Sequence, residues 1–129
     1  MTAKEFMRTY ETATGSHGLD HMVKLIDKYA VYWFSDGSSH VGKQAVEAAI
    51  KNNFEIIKDE TYQISHLVCL AESRELAVCI YRFDWSGLVR GKAASGSGRG
   101  TTVLAREGDS WVVIHEHLSK GSHELEQHT

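Results

Sequence analysis

Apolar residues recur at helical spacing through the start of the chain. Ala3, Phe6, Met7, Tyr10 and Ala13 share one side of a helix, while Lys4, Arg8 and Glu11 occupy the others. The stretch TGSHG breaks this pattern, with Gly15 placed to end the helix. Leu19, Met22, Val23 and Ile26 form a second, shorter stripe. Residues 29–34, YAVYWF, are aromatic and β-branched and read as a strand. SDGSSH is turn chemistry, and HVG returns as a brief strand. A third helix is expected over residues 43–57, burying Val46, Ala49, Ile50, Phe54 and Ile57.

From Glu60 onward the period changes to that of strands. TYQISHLVCLAE and ELAVCIYRFDW flank the short polar turn ESRE, and GTTVLARE and WVVIHEHLS flank GDS, so two hairpins are expected. Between them GLVRGKAASGSGRG reads as a long, mobile glycine- and serine-rich connection near a pocket mouth. Three helices followed by antiparallel strands give an α+β fold. The three helices pack on a curved, mostly antiparallel sheet, and the incompletely filled concavity is a pocket.

In the last strand one alternating set is Trp111, Val113, His115, His117 and Ser119, and the other is Val112, Ile114, Glu116 and Leu118. Burying Glu116 would cost its carboxylate its hydration, and Trp111 is the largest apolar group. Both facts place the histidine set inward. The second set, with Leu104, is apolar enough to suggest a homodimer packed sheet to sheet. In the strand from Leu76, Arg82 and Asp84 share the face of Val78 and Ile80 and are candidates to line the pocket.

The chain has 129 residues, enough for one domain over residues 1–121 with a polar tail at 122–129. A net charge of −3 gives no basic surface for nucleic acid. The longest apolar run is too short to cross a bilayer and the N-terminal stretch lacks a signal-peptide core, so a cytoplasmic location is expected. Cys69 and Cys79 lie in apolar runs and are expected to be reduced.

The ending GRGTTVLAREGDSWVVIHEHLS resembles the C-terminal hairpin of SnoaL-like proteins, of the nuclear transport factor 2-like superfamily that includes ketosteroid isomerase. The start of the third helix, from Gly42 to Val46, and the stretch HGLDHM are similar too. The W-x-x-x-H-x-H-x-S ending also resembles the association domain of calcium/calmodulin-dependent kinases. This resemblance implies a cone-shaped, cystatin-like α+β barrel, usually a homodimer, with a pocket between helices and sheet. It leaves the activity open, because function belongs to sites rather than folds.

His115 and His117 then have three readings: metal ligands, hydrogen-bonded structural groups, or pocket groups that bind a ligand or move a proton. His40, His66 or Asp84 could complete a metal site, but no spacing motif requires one, so no metal and no cofactor are expected. Tyr10 resembles in place the oxyanion-stabilising tyrosine of ketosteroid isomerase, against the alternative of an ordinary core tyrosine. The isomerase's catalytic aspartate falls on Phe34, so the candidate acids are Asp36, two residues on, and Asp84. Arg82 and Arg99 would favour an anionic or carboxylate ligand if they faced the cavity, or would pair with Asp84. Trp33, Phe54 and Trp111 would form pocket wall or core. Three functions remain: a small-molecule-binding domain with no assigned reaction, an isomerase or cyclase using proton transfer next to a carbonyl, and a homodimerisation module with an incidental cavity.

Overall fold

A computed structural model describes residues 1–121, so the expected tail at 122–129 lies outside the described residues. Helix α1 (Ala3–Gly15) is capped by the Thr2 hydroxyl, which accepts from the Glu5 amide, and Glu5 sits favourably in the first turn. Its buried side is the expected stripe of Ala3, Phe6, Met7, Tyr10 and Ala13. After the short α2 (Leu19–Val23), strand β1 (Ile26–Trp33) pairs with β2 (Ser39–Val41), and α3 (Lys43–Ile56) follows. Four more strands follow among the described residues: β3 (Ile57–Glu72), β4 (Leu76–Val89), β5 (Lys92–Glu107) and β6 (Ser110–Lys120).

The strands form one sheet in the order β2-β1-β6-β5-β4-β3. Every neighbour pair is antiparallel except β1 with β6, which run parallel. The sheet is open, with β2 and β3 at its edges, so it curves around the helices without closing into the expected barrel. No described helix is long and apolar enough to cross a membrane.

The glycine- and serine-rich segment is not a mobile loop. The turn is confined to Arg90 and Gly91, both in the left-handed region that a two-residue hairpin turn requires. Residues 92–100 are already strand β5. Its alternate glycines face aromatic rings of β4: Gly100 pairs with Tyr81, Gly98 with Phe83 and Gly96 with Trp85. A Cβ on Gly98 would stand 2.8 Å from the Phe83 ring, and one on Gly96 2.5 Å from the Trp85 indole nitrogen. The glycines thus leave room for three large rings to lie across the neighbouring strand.

The expected strict alternation in β6 fails at one residue. Val103 pairs with His115 but Leu104 pairs with Val113, so Ile114 is an extra residue, a β-bulge. Trp111 and Val113 face the core before the bulge, and Glu116 faces it after. The inward assignment of His115 and His117 is therefore corrected. His117 is exposed, and His115, half-buried, donates from Nδ1 to the Val31 carbonyl at 2.7 Å. Both rings stand edge-on to Trp33, at 4.9 and 5.1 Å, on the convex side of the sheet.

Candidate functional site

One cavity of about 240 Å³ opens between the helices and the concave face of the sheet. Its size suits a small ligand, since sites for drug-sized molecules run from about 300 to 1,000 Å³. Tyr10 and Thr14 of α1, Met22 of α2, and Ile50, Asn53 and Phe54 of α3 line it on the helical side. Tyr62 of β3, Phe83 and Trp85 of β4, and Glu116 and Leu118 of β6 line it on the sheet side. Tyr32, Ile57, Glu60 and the 34–36 turn complete the wall.

Glu116 is the group that the sequence reading placed in water, yet it is only 5% exposed. Its carboxylate accepts from the Tyr81 hydroxyl at 3.5 Å, and Tyr81 is itself hydrogen-bonded to the buried Thr102 hydroxyl at 2.8 Å. Burial pushes the Glu116 carboxyl up to about 7, and hydrogen bonding from the Tyr10 and Tyr81 hydroxyls offsets only part of that rise. Tyr10 and Tyr32 meet hydroxyl to hydroxyl at 2.8 Å. Burial first, and the Glu116 charge second, raise Tyr10, Tyr32, Tyr62 and Tyr81 well above the ordinary tyrosine range. These phenols therefore stay protonated and remain hydrogen-bond donors. A carboxyl that titrates near neutrality beside fixed phenol donors can exchange a proton with a bound molecule while a neighbouring oxygen of that molecule is held.

The structure separates the other candidates. Tyr10, Asp36 and Phe54 line the cavity, and Phe34 lines it as well. The Asp36 carboxylate is engaged in its own turn, accepting from the Ser38 amide at 2.8 Å, and hydrogen bonds from Ser38 hold its carboxyl below the usual range. Arg82, Asp84, Arg99, His115, His117 and Trp33 are not among the lining residues. On β4 the core face is Ala77, Cys79, Tyr81 and Phe83, so the faces expected for Arg82 and Asp84 are reversed. Arg82 Nε lies 3.4 Å from the Asp84 carboxylate on the outer face, and Arg82 is paired in register with Arg99. Among the described residues no arginine or lysine lines the cavity, which removes the reason to expect an anionic ligand. No cluster of three or more candidate metal ligands occurs among them either.

Glu116, Glu60, Tyr32, Tyr62, Tyr81 and Trp85 were not singled out from the sequence. The signal for the last two was available: aromatic residues at every second position opposite alternate glycines mark a floor built for rings.

The family model of the SnoaL-like domain matches residues 3–121. The chain belongs to the SnoaL-like domain family. Among solved structures, an uncharacterised protein with a cystatin-like fold from Caulobacter vibrioides is 13% identical with a TM-score of 0.83, over 98% of this chain and 92% of that one. A nuclear transport factor 2-like superfamily protein from Salmonella enterica is 14% identical with a TM-score of 0.82, over 92% and 87%. A protein from Streptomyces avermitilis, whose name proposes a dehydratase of the NTF2-like family, is 10% identical with a TM-score of 0.83, over 93% and 94%. At such identities these likenesses establish the fold of a SnoaL-like domain and no reaction. No curated protein matches the chain at a significant level.

Proposed function

We propose that this SnoaL-like domain binds a small, neutral, carbonyl-containing molecule and transfers a proton next to the carbonyl, with Glu116 as the acid–base group. The observation that carries this reading is the Glu116 carboxyl, sunk in an aromatic cavity and raised by burial to about 7. A catalytic base works best with a value near the operating pH, and burial is how a carboxyl reaches one. Tyr10 is the donor to the carbonyl oxygen, because its hydroxyl is buried beside Tyr32 and it lines the same cavity. Aromatic walls from Phe34, Phe54, Phe83 and Trp85 favour a flat, uncharged ring over an anion.

The test is the ring opening of 5-nitrobenzisoxazole, a neutral aromatic whose C–H proton a carboxylate in an apolar site removes. The protein should accelerate it, with a rate that rises as pH climbs through about 7, because the ionised form of Glu116 is the base. Glu116→Gln should lower that rate by roughly 10²–10⁴-fold. An unchanged rate in Glu116→Gln would refute the assignment.

A further inference from the structure

A second carboxyl reaches the same cavity from the other side. Glu60 lies on β3, the edge strand, and faces inward for the same kind of reason as Glu116. Lys58 pairs with Leu88 and Thr61 with Ser86, so β3 carries one residue more than β4 at this point. Asp59, in the left-handed region at φ 51°, absorbs that extra residue as a bulge. Gly87 faces it, and a Cβ there would meet the Lys58 carbonyl oxygen at 2.7 Å. The bulge turns Glu60 into the wall, where its side chain is 7% exposed.

There the carboxylate meets His17 Nε2 at 2.7 Å. His17 follows α1 with φ 57°, and its ring stacks on Phe54 at 4.2 Å, 9° from parallel. Phe54 lines the cavity, while His17 is not among the lining residues and contacts both Phe54 and Glu60. An imidazole–carboxylate pair held this way is a poor choice for packing alone, since apolar side chains would fill the space without desolvating a charge. In the sheet, β4 and β5 lie between β3 and β6. The two carboxyl-bearing strands are therefore three strand spacings apart, about 14 Å along the sheet, with the rings of Phe83 and Trp85 also lining the cavity.

We propose that Glu60, supplied by His17, is a second proton-handling group, which delivers a proton to the far end of the ligand when Glu116 removes one at the near end. The inference rests on the reading of Glu116 as the base. The Glu116 carboxylate takes the proton from the carbon next to the carbonyl, and the C–H electron pair enters a dienolate whose oxygen Tyr10 holds. His17 Nε2 passes its proton to the Glu60 carboxylate, and the far carbon takes that proton from the Glu60 carboxyl, leaving the pair one proton short. One C–H bond breaks, one C–H bond forms, the double bond moves and no oxidation occurs. Solvent then takes the proton gained by Glu116 and restores the one lost from the pair. Glu60 is the acid that touches the ligand, and His17 is a positioning residue behind it.

The probe is cyclohex-3-enone, whose conversion to the conjugated enone needs both removal and delivery of a proton. The comparison reaction is 5-nitrobenzisoxazole opening, whose phenolate product leaves without an acid. His17→Gln and Glu60→Gln should each lower enone conversion at least about tenfold more than they lower ring opening. Glu60→Asp, which keeps the carboxyl, should recover part of the difference, and thermal unfolding should show each variant folded. His17→Gln should also displace the alkaline limb of the enone pH–rate profile, whereas a purely structural histidine would scale the profile without moving it. The other titratable groups lining the cavity are Tyr10, Tyr32 and Tyr62, which stay protonated, and Asp36, which stays ionised. An equal loss of both reactions would overturn the pair's role. So would a wild-type protein that opens the benzisoxazole and leaves the enone unconverted, and that result would leave the Glu116 reading standing. Failure of both reactions in the wild type would overturn the Glu116 reading itself and the pair with it.

Discussion

At the scale of single residues, Glu116 costs the fold stability as its pH rises. Its carboxyl lies near 7 in the folded protein against an ordinary 4.5. Below 4.5 it is neutral in both states and carries no penalty. Between 4.5 and 7 the unfolded chain releases its proton first, so native stability falls as pH climbs, by about 3 kcal/mol in all. Glu116→Gln should therefore gain up to about 3 kcal/mol at pH 8, little at pH 4, and a flatter profile between, measured by urea unfolding at several pH values. Its inward position is not legible in the sequence, because hydration cost is a sound guide to an average carboxylate and a poor one to a functional carboxylate. Cys69 and Cys79 face each other across β3 and β4 with their sulfurs 3.1 Å apart, both as free thiols. Cys79 is fully buried, and burial, with its Cys69 neighbour, pushes its thiol up to about 12. A thiol reagent should accordingly label Cys79 only on the timescale of global unfolding, and rapid native labelling read by mass would contradict its burial.

Elements made of regular repeats were legible, and the irregularities inside them were not. The α1 stripe and both long hairpins follow from periods of 3.6 and 2, and these appear where expected. A bulge has no period. Ile114 shifts everything after it to the opposite face, so alternation counted from Trp111 put the imidazoles where the carboxylate belongs. Likewise GKAASGSGRG has the composition of a loop, but its glycines answer to the rings on β4 rather than to a turn. Gly98→Ala would thrust a methyl against Phe83 and the Ser119 carbonyl. It should cost about 1–3 kcal/mol, or more if the backbone cannot move, read as a fall in melting temperature. Deleting Ile114 should be milder in one respect: both halves of β6 keep their partners, so the raised Glu116 titration should survive, which carboxyl NMR would report.

At the scale of the whole molecule, the α+β layering was legible and the face available for assembly was misidentified. Leu104 is fully buried and Val112 6% exposed within the single chain, so neither is available to a partner. The convex face instead carries Trp33, Val68 and Ile80, each more than a third exposed, in one row across the paired strands with Thr101 and His117. A homodimer through this row is the expected assembly. Ile80→Lys should shift a light-scattering mass toward that of one chain, and a wild-type protein that is already monomeric at micromolar concentration would count against it.

The order of the strands has a consequence for how the chain is made. Strand β6 stands between β1 and β5, so the β1–β2 pair joins the rest of the sheet only through the last of the described strands to be synthesised. Its contacts span more than 80 residues, as between Val31 and His115. On the ribosome the β3–β4–β5 meander can zip as it emerges, but the sheet stays in two parts until residues 110–120 are out. A nascent chain lacking them carries the unpaired edges of β1 and β5 together, and those edges invite pairing with another chain. Premature stops in this stretch are thus expected to yield aggregates and proteolytic fragments rather than a weakened version of the folded domain.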